Sequence, residues 1–122
     1  MIYLDNASTT WPKPPAVMEA MARYLHEVGV SPGRGVYAAS VEAERAVVDT
    51  RRKLANLFDA PGPDRIAICL NCTDALNMAI KGTLREGDHV VSTTIEHNSV
   101  ARPLQAMADS GFITVTKVEA DG

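Results

Sequence analysis

The chain has 122 residues, of which 46% are hydrophobic and 22% charged, as in an ordinary soluble globular domain. The formal net charge of −3 and the short basic run Arg51-Arg52-Lys53 argue against a nucleic-acid partner. No apolar run approaches the ~20 residues of a membrane-spanning helix, and the first residues lack the basic and apolar regions of an export signal. We therefore expect a cytoplasmic protein without membrane or nucleic-acid partners.

The two cysteines, Cys69 and Cys72, have C-x-x-C spacing, which is compatible with a redox pair or half of a zinc site. A structural zinc site needs four ligands, yet there is no second cysteine pair, and His26, His89 and His97 are scattered. Cys69 lies in an apolar run, where a free cysteine is usually a small buried hydrophobic residue. We expect no metal site, and a redox function is the weaker alternative.

The first 13 residues are predicted to be extended, because Pro12 and Pro14 interrupt any helix through them. A helix is predicted from about Pro14, since proline is favoured in a first turn, and Gly29 is the expected stop. Its apolar residues recur at helical spacing: Val17, Met18, Met21, Leu25 and Val28.

A glycine-containing loop at 31–36 precedes a second predicted helix, for which Ser40 is the expected N-cap. The proline- and glycine-rich segment Ala60–Asp64 is predicted to end this region. The buried side of the helix is expected to consist of Ala43, Val47, Leu54, Leu57 and Phe58.

The second half of the chain alternates short apolar strands with helices. Strands are predicted at 66–70, 89–93 and 112–118, and helices through 75–82 and 100–108. Short connections between such elements are typical of an α/β fold with a parallel sheet. We expect an N-terminal region of lead-in and helices at 1–62 and the start of an α/β domain at 63–122. The last residues follow a strand directly, so the sheet is expected to be incomplete.

The segment Asn71-Cys-Thr-Asp74 follows the first predicted strand and opens a helix. Free N–H groups at a helix N-terminus favour a phosphate, and Thr73 adds a hydroxyl donor. The alternative is that Thr73 or Asn71 simply caps the helix, as happens at most helices.

The segment Thr93–Ser99 follows the second predicted strand and contains a carboxylate, an imidazole, an amide and hydroxyls. His97 could transfer protons or stack on a flat ligand. Alternatively, Asn98 or Ser99 caps the next helix and His97 points to water. Because both segments follow strands of one parallel sheet, we expect them to meet at the same edge and form a ligand site.

Five motifs, in this order, resemble those of the cysteine desulfurases and their relatives in the class V aminotransferase family. The resemblance extends over essentially the whole chain and implies the fold type I architecture of enzymes that use pyridoxal 5′-phosphate (PLP). The motifs are Tyr3–Pro14, Ser31–Ser40, Asn71–Asn77, Gly87-Asp88 and Glu96–Val100.

The resemblance implies roles for individual residues. Thr73 matches the threonine that binds the cofactor phosphate, with help from the backbone of Cys72. His97 matches the histidine that stacks on the pyridine ring and moves protons in catalysis. Asn6 and Ala7 match the segment on the substrate side of the site. The family thus implies one catalytic residue, three cofactor-binding residues and two substrate-side residues here.

Two departures from the family pattern lie beside these residues. Asn71 stands where many members have glycine, although a subgroup has Asn-Ala-Thr-Asp at this place. Cys72 replaces a small residue and does not align with the family's catalytic cysteine. Arg34, in the matching glycine-containing loop, is expected to have only a structural or entrance role.

The implied reaction removes sulfur from L-cysteine to give alanine and an enzyme persulfide. It requires a Schiff-base lysine and a cysteine nucleophile, which in the family lie beyond the matched stretch. The isolated chain is therefore expected to be inactive. There are two alternatives to the desulfurase function: a silent fragment that acts as a binding or dimerising module, and a selenocysteine lyase or another class V aminotransferase. For the complete protein the family implies a homodimer and a sulfur-acceptor protein.

Overall fold

A computed structural model describes residues 2–120 of the chain. The chain forms two compact units, Met1–Ile66 and Ala67–Gly122, which we call unit 1 and unit 2. The boundary between these units falls near the predicted division after residue 62. The domain division of the complete protein stays a prediction.

Unit 1 contains helix α1 (Pro15–Glu27), helix α2 (Ala38–Leu57) and a 3₁₀ turn (Pro63–Arg65). The first helix begins at a proline, as predicted, and ends just before Gly29. This glycine has a φ of +54° and donates its N–H to the carbonyl of Tyr24 over 2.9 Å. Only glycine adopts this conformation readily, so the predicted stop is confirmed.

Helix α2 begins two residues earlier than Ser40, the predicted N-cap. The N-cap position is held by Tyr37, whose side chain makes no capping hydrogen bond. Ser40 lies inside the first turn and is buried, and its hydroxyl has no partner among the described residues. The prediction was wrong because the helix continues back through Ala39 and Ala38, two residues that favour helix without any cap.

The buried side of α2 also differs from the prediction. Ala43 is buried as expected, but the residue buried near the end of the helix is Ala55. Leu57 and Phe58 are 73% and 69% exposed. The 3₁₀ turn packs on α2, and no described element of unit 1 covers these two side chains. Burial depends on which neighbour is present, and helical spacing alone does not supply that information.

Unit 2 contains helix α3 (Cys72–Thr83), strand β1 (His89–Thr93), helix α4 (Asn98–Asp109) and strand β2 (Thr114–Val118). The two strands are parallel, with a register that runs from His89 opposite Thr114 to Thr93 opposite Val118. Helix α4 connects them and packs on β2 and on α3. The buried apolar residues of this unit include Pro103 and Leu104 on α4 and Ile113 just before β2. These elements give an α/β fold with a parallel sheet, as predicted.

The first predicted strand, at 66–70, has no hydrogen-bonded partner strand among residues 2–120. Ile66 is in the extended region of backbone space, but Ile68 is 54% and Leu70 89% exposed. An isolated extended segment does not form a strand, because its N–H and C=O groups need a neighbouring strand. The other two predicted strands are present, the last one shortened to begin at Thr114.

Candidate active site

The N-terminus of α3 is built by two reciprocal side-chain contacts. Asn71, the N-cap residue, accepts a hydrogen bond at Oδ1 from the backbone N–H of Asp74 over 2.9 Å. The Asp74 carboxylate in turn accepts from the N–H of Leu70 over 3.4 Å. Both interactions fix the turn that leads into the helix. Of the two candidate caps predicted from sequence, the structure selects Asn71 and leaves Thr73 free of this role.

Two backbone N–H groups at this helix start are free. The amides of Cys72 and Thr73 have no acceptor among the described residues, because the first turn of a helix lacks intrahelical partners. Both residues are exposed, so this helix start is not covered by other described parts of the chain. Partial positive charge at a helix N-terminus adds to this donor set. Two amides and one hydroxyl suit the oxygens of a phosphate group.

His97 is the N-cap of α4. Its Nδ1 atom accepts a hydrogen bond from the Ser99 N–H over 3.2 Å, and the Ser99 hydroxyl lies 2.8 Å from the same nitrogen. The predicted alternative, in which Asn98 or Ser99 caps this helix, was therefore wrong, although His97 is exposed, as that alternative expected. Histidine is an unusual N-cap, so its residue type favours the polar residues after it as the cap. The loop before it is closed by Thr93, whose hydroxyl donates to Glu96 over 3.0 Å.

Asn77 connects the two helix starts. It lies one turn after Thr73 on α3, and its Nδ2 donates to the Thr73 carbonyl over 3.0 Å and to the Ser99 carbonyl over 3.4 Å. No individual role was predicted for this residue. Its spacing could have indicated one, because an amide side chain four residues after Thr73 lies on the same face of the helix. Its partner on α4 was not predictable from spacing.

Thr73 and His97 line one open cleft of about 630 Å³ between α3 and α4. We call this space the α3–α4 cleft. Lys81 and Arg102 contribute positive charge to its wall, and none of the aspartates and glutamates within residues 2–120 lines it. The remaining wall is formed by small polar residues at the helix starts and by apolar residues of α4 and the segment that follows it. Residues of both predicted segments thus line one cleft, in surroundings suited to an anionic ligand, although the first segment does not follow a strand of the described sheet.

Gly87 and Asp88 position the first strand. The Gly87 N–H donates to the Phe112 carbonyl over 2.8 Å, and the N–H of Thr114 donates to the Asp88 carbonyl over 2.9 Å. The Asp88 carboxylate accepts from the N–H of Arg85 over 2.7 Å. This motif therefore joins β1 to β2 and has a structural role in this unit.

Asn6 and Ala7 lie in unit 1, in an exposed turn. Oδ1 of Asn6 accepts a hydrogen bond from the Trp11 N–H over 3.3 Å, and the Tyr3 hydroxyl donates to the carbonyl of Thr9 over 2.8 Å. These contacts hold the lead-in segment in a defined loop. Assignment of Asn6 and Ala7 to the substrate side stays a prediction.

Both cysteines are free thiols, with Cys69 half-buried and Cys72 exposed. Within residues 2–120, no group of three or more histidine, cysteine, aspartate or glutamate side chains is arranged to hold a metal ion. The same residues contain no helix with the length and apolar character needed to cross a bilayer.

The family model described as "Aminotransferase class-V" matches residues 2–122. The chain belongs to the class V aminotransferase family. Among its relatives, a probable cysteine desulfurase of Methanothermobacter thermautotrophicus is 37% identical over 121 residues, covering 98% of this chain and 30% of the relative. The chain thus spans about a third of the length of that relative.

Solved structures of family members show the same fold. The apo cysteine desulfurase of Thermococcus onnurineus superposes with a TM-score of 0.84 at 28% identity, covering 98% of this chain and 30% of that chain. The cystine C–S lyase C-DES gives a TM-score of 0.66 at 27% identity, covering 88% of this chain and 28% of that chain. One structure of C-DES holds glycine covalently linked to the PLP cofactor. The predicted α/β class and the resemblance to cysteine desulfurases are confirmed.

Proposed function

We propose that this chain is part of a PLP-dependent cysteine desulfurase. The observation that supports this most directly is the α3–α4 cleft, which is lined by both Thr73 and His97. The N–H groups of Cys72 and Thr73 are free at the helix start that contributes Thr73 to this cleft. A relative named as a probable cysteine desulfurase is 37% identical over nearly the whole chain. The cleft supports an anionic ligand, and the name of the relative supports the proposed reaction.

The donor set of the cleft fits PLP. Thr73 and the amide of Cys72 would hold the phosphate, since hydrogen bonds from a helix N-terminus complement its charge. His97 would lie against the pyridine ring and exchange protons with the substrate. When bound, PLP supplies an electron sink for bonds at the substrate Cα. Asn77 would hold Thr73 and the start of α4 at a fixed separation through its two hydrogen bonds.

The proposed reaction converts L-cysteine and an enzyme thiol into L-alanine and an enzyme persulfide. A thiolate attacks the substrate sulfur, the carbon–sulfur bond breaks, and a proton replaces the sulfur on the substrate carbon. Atoms and electrons balance without an external oxidant. Asn6 and Ala7 would lie on the substrate side of the complete site.

We infer that the Schiff-base lysine and the thiol nucleophile lie in sequence outside this chain, which makes the isolated chain inactive. Lys81 lines the cleft, but it is an exposed residue two helical turns beyond Thr73 on α3. We therefore do not assign it the role of the Schiff-base lysine. Lys117 donates to Oε1 of Gln105 over 3.1 Å. Cys72 is exposed at the start of α3 and is not among the residues that line the cleft, so we assign its thiol no part in sulfur removal.

We further propose that the complete protein is a cytoplasmic homodimer that transfers sulfur to an acceptor protein. Two free thiols, one of them exposed, are compatible with a reducing compartment. The exposed apolar side of α1, which includes Met18, Met21 and Leu25, favours burial against further protein.

The test uses the complete protein that contains this sequence. It is incubated with L-cysteine and a reductant, and sulfide and alanine are measured together. We expect equal amounts of the two products over many turnovers. Activity with selenocysteine alone would assign a selenocysteine lyase, and cleavage of cystine without alanine formation would assign a C–S lyase. Either result would overturn the desulfurase proposal.

A second experiment addresses the isolated chain. It is mixed with PLP, reduced with borohydride and analysed by intact mass. We expect no covalently retained cofactor, as for a fragment without its Schiff-base lysine. One stoichiometric adduct, mapped to Lys81 and absent in Lys81→Arg, would show that this chain supplies its own lysine and would contradict the proposal that it is inactive.

A further inference from the structure

The imidazole of His97 is held through one nitrogen only. Nδ1 lies 3.2 Å from the backbone nitrogen of Ser99 and 2.8 Å from its hydroxyl oxygen. A backbone N–H only donates, so Nδ1 has to present its lone pair to this group. Ser99 is 6% exposed, which makes an unpaired amide at this position unfavourable.

This contact determines where the ring proton lies. In neutral imidazole one nitrogen donates and the other accepts. If Nδ1 accepts from Ser99, the proton is on Nε2. A proton on Nδ1 would instead remove the acceptor that caps α4. The serine hydroxyl can rotate, and beside an accepting nitrogen it acts as a second donor.

We propose that Ser99 is a positioning residue that fixes the Nε2–H tautomer of His97. Nε2 has no hydrogen-bond partner among residues 2–120, so it is the ring atom that remains available to a ligand in the α3–α4 cleft. Proton exchange with a ligand then takes place at Nε2, while Nδ1 stays bound to the helix start. The role toward a ligand rests on the proposed function; the tautomer does not.

The chain provides two internal references. His89 places Nε2 at 2.8 Å from the hydroxyl of Thr116, a group that can donate or accept and so permits either tautomer. His26 is exposed in the last turn of α1, and its ring has no partner among the described residues. All three histidines can be observed in one spectrum, which separates an effect of Ser99 from the general preference of the imidazole ring.

The experiment is a two-bond ¹H–¹⁵N correlation spectrum of the ¹⁵N-labelled chain at a pH of about 8.5, where histidine is ordinarily neutral. We expect Nδ1 of His97 to have the shift of an accepting nitrogen, Nε2 that of a protonated one, and His26 the averaged pattern of free imidazole. A protonated Nδ1, or a His97 pattern equal to that of His26, would overturn the proposal.

Two variants separate the serine hydroxyl from the backbone amide. In Ser99→Ala, Nδ1 loses one donor, and its ¹⁵N resonance is expected to move toward the position of an unbonded accepting nitrogen. In Ser99→Thr, which keeps the hydroxyl, it is expected to stay at the wild-type position. An unchanged resonance in Ser99→Ala with β1 and β2 amide signals retained would overturn the role of the hydroxyl. If the alanine variant fails to fold, the wild-type spectrum and Ser99→Thr still decide the tautomer. Because no cofactor is added, an inactive complete protein would contradict the proposed function and leave this result unaffected.

Discussion

Asn77 donates a hydrogen bond from Nδ2 to the carbonyl of Ser99 over 3.4 Å, and this contact joins α3 to the first turn of α4. The same nitrogen donates to the carbonyl of Thr73 over 3.0 Å. One half-buried amide therefore connects the start of α3, where we propose that phosphate binds, to the helix that His97 caps. We expect the separation of Thr73 and His97 to depend on Asn77, which itself needs no contact with a ligand.

The first prediction concerns Asn77→Ala. Loss of the interhelical hydrogen bond is expected to lower the free energy of unfolding of unit 2 by about 1 kcal/mol. The measurement is urea denaturation followed by amide signals of β1 and β2. Asn98→Ala is the matched control, because it is the same substitution at an exposed position at the start of α4 and is expected to change stability little. Equal effects of the two substitutions would contradict the linking role of Asn77.

The second prediction tests the phosphate-binding role of Thr73. In the complete protein, Thr73→Val keeps the side-chain shape but removes the hydroxyl, and PLP affinity is expected to fall about 10- to 100-fold, since a hydrogen bond to a charged group is lost. Thr73→Ser, which keeps the hydroxyl, is expected to stay close to wild type. The PLP affinities of the two variants are measured by titration with the cofactor, followed by absorbance. Wild-type affinity in the valine variant would remove Thr73 from the site.

The third prediction separates helix capping from phosphate binding at Asn71. Asn71→Ala removes the acceptor of the Asp74 N–H and is expected to destabilise unit 2 by ~1 kcal/mol. Asn71→Asp keeps the acceptor and so preserves stability, but its added negative charge beside the free amides is expected to weaken PLP binding. Denaturation and cofactor titration of both variants are needed. If aspartate left cofactor affinity unchanged in low salt, the phosphate would not be bound at this helix start.

The fourth prediction compares two glycines. At Gly29, φ is +54° and an added Cβ would lie 2.9 Å from the carbonyl oxygen of Leu25, so Gly29→Ala is expected to destabilise unit 1 by ~1–2 kcal/mol. Gly82 lies within α3 and an added Cβ would meet nothing within 4 Å. Gly82→Ala is therefore expected to stabilise unit 2 by ~0.5–1 kcal/mol. Thermal unfolding of both variants tests whether the two changes in stability have opposite signs. A destabilising Gly82→Ala would mean that the complete protein packs against this side of α3.

The fifth prediction uses the exposure of the two thiols. Under limiting iodoacetamide, peptide mapping is expected to find Cys72, which is exposed, alkylated before the half-buried Cys69. Alkylation at Cys72 adds bulk beside the free amides and is expected to reduce PLP binding in the complete protein, whereas Cys72→Ala preserves it. Reduced binding in Cys72→Ala would indicate that the thiol itself contributes to the site.

The sequence was sufficient for features that depend on neighbouring residues in the chain. The stop at Gly29 and the strand His89–Thr93 each follow from local backbone preference or from an apolar run. The cap of α3 was restricted to Asn71 or Thr73, and the structure chose between them. The order of motifs was sufficient to indicate the family, because each motif is defined by residue types at fixed spacing. Thr73 and His97 line one cleft, as the sequence predicted, but the stated reason was only half right, because the segment before Thr73 forms no strand among the described residues.

Only the tertiary structure decided the features that depend on contacts between distant segments. The segment 66–70 has strand character but forms no strand here, because hydrogen bonding requires a neighbouring strand. Leu57 and Phe58 lie on an apolar stripe but stay exposed, because burial requires a covering element. Asn77 acquires its role only from the carbonyl of Ser99, 22 residues later in the chain. Likewise, His97 binds the start of its own helix through Nδ1, since the folded loop places this nitrogen against the Ser99 amide, and residue types alone do not specify that geometry.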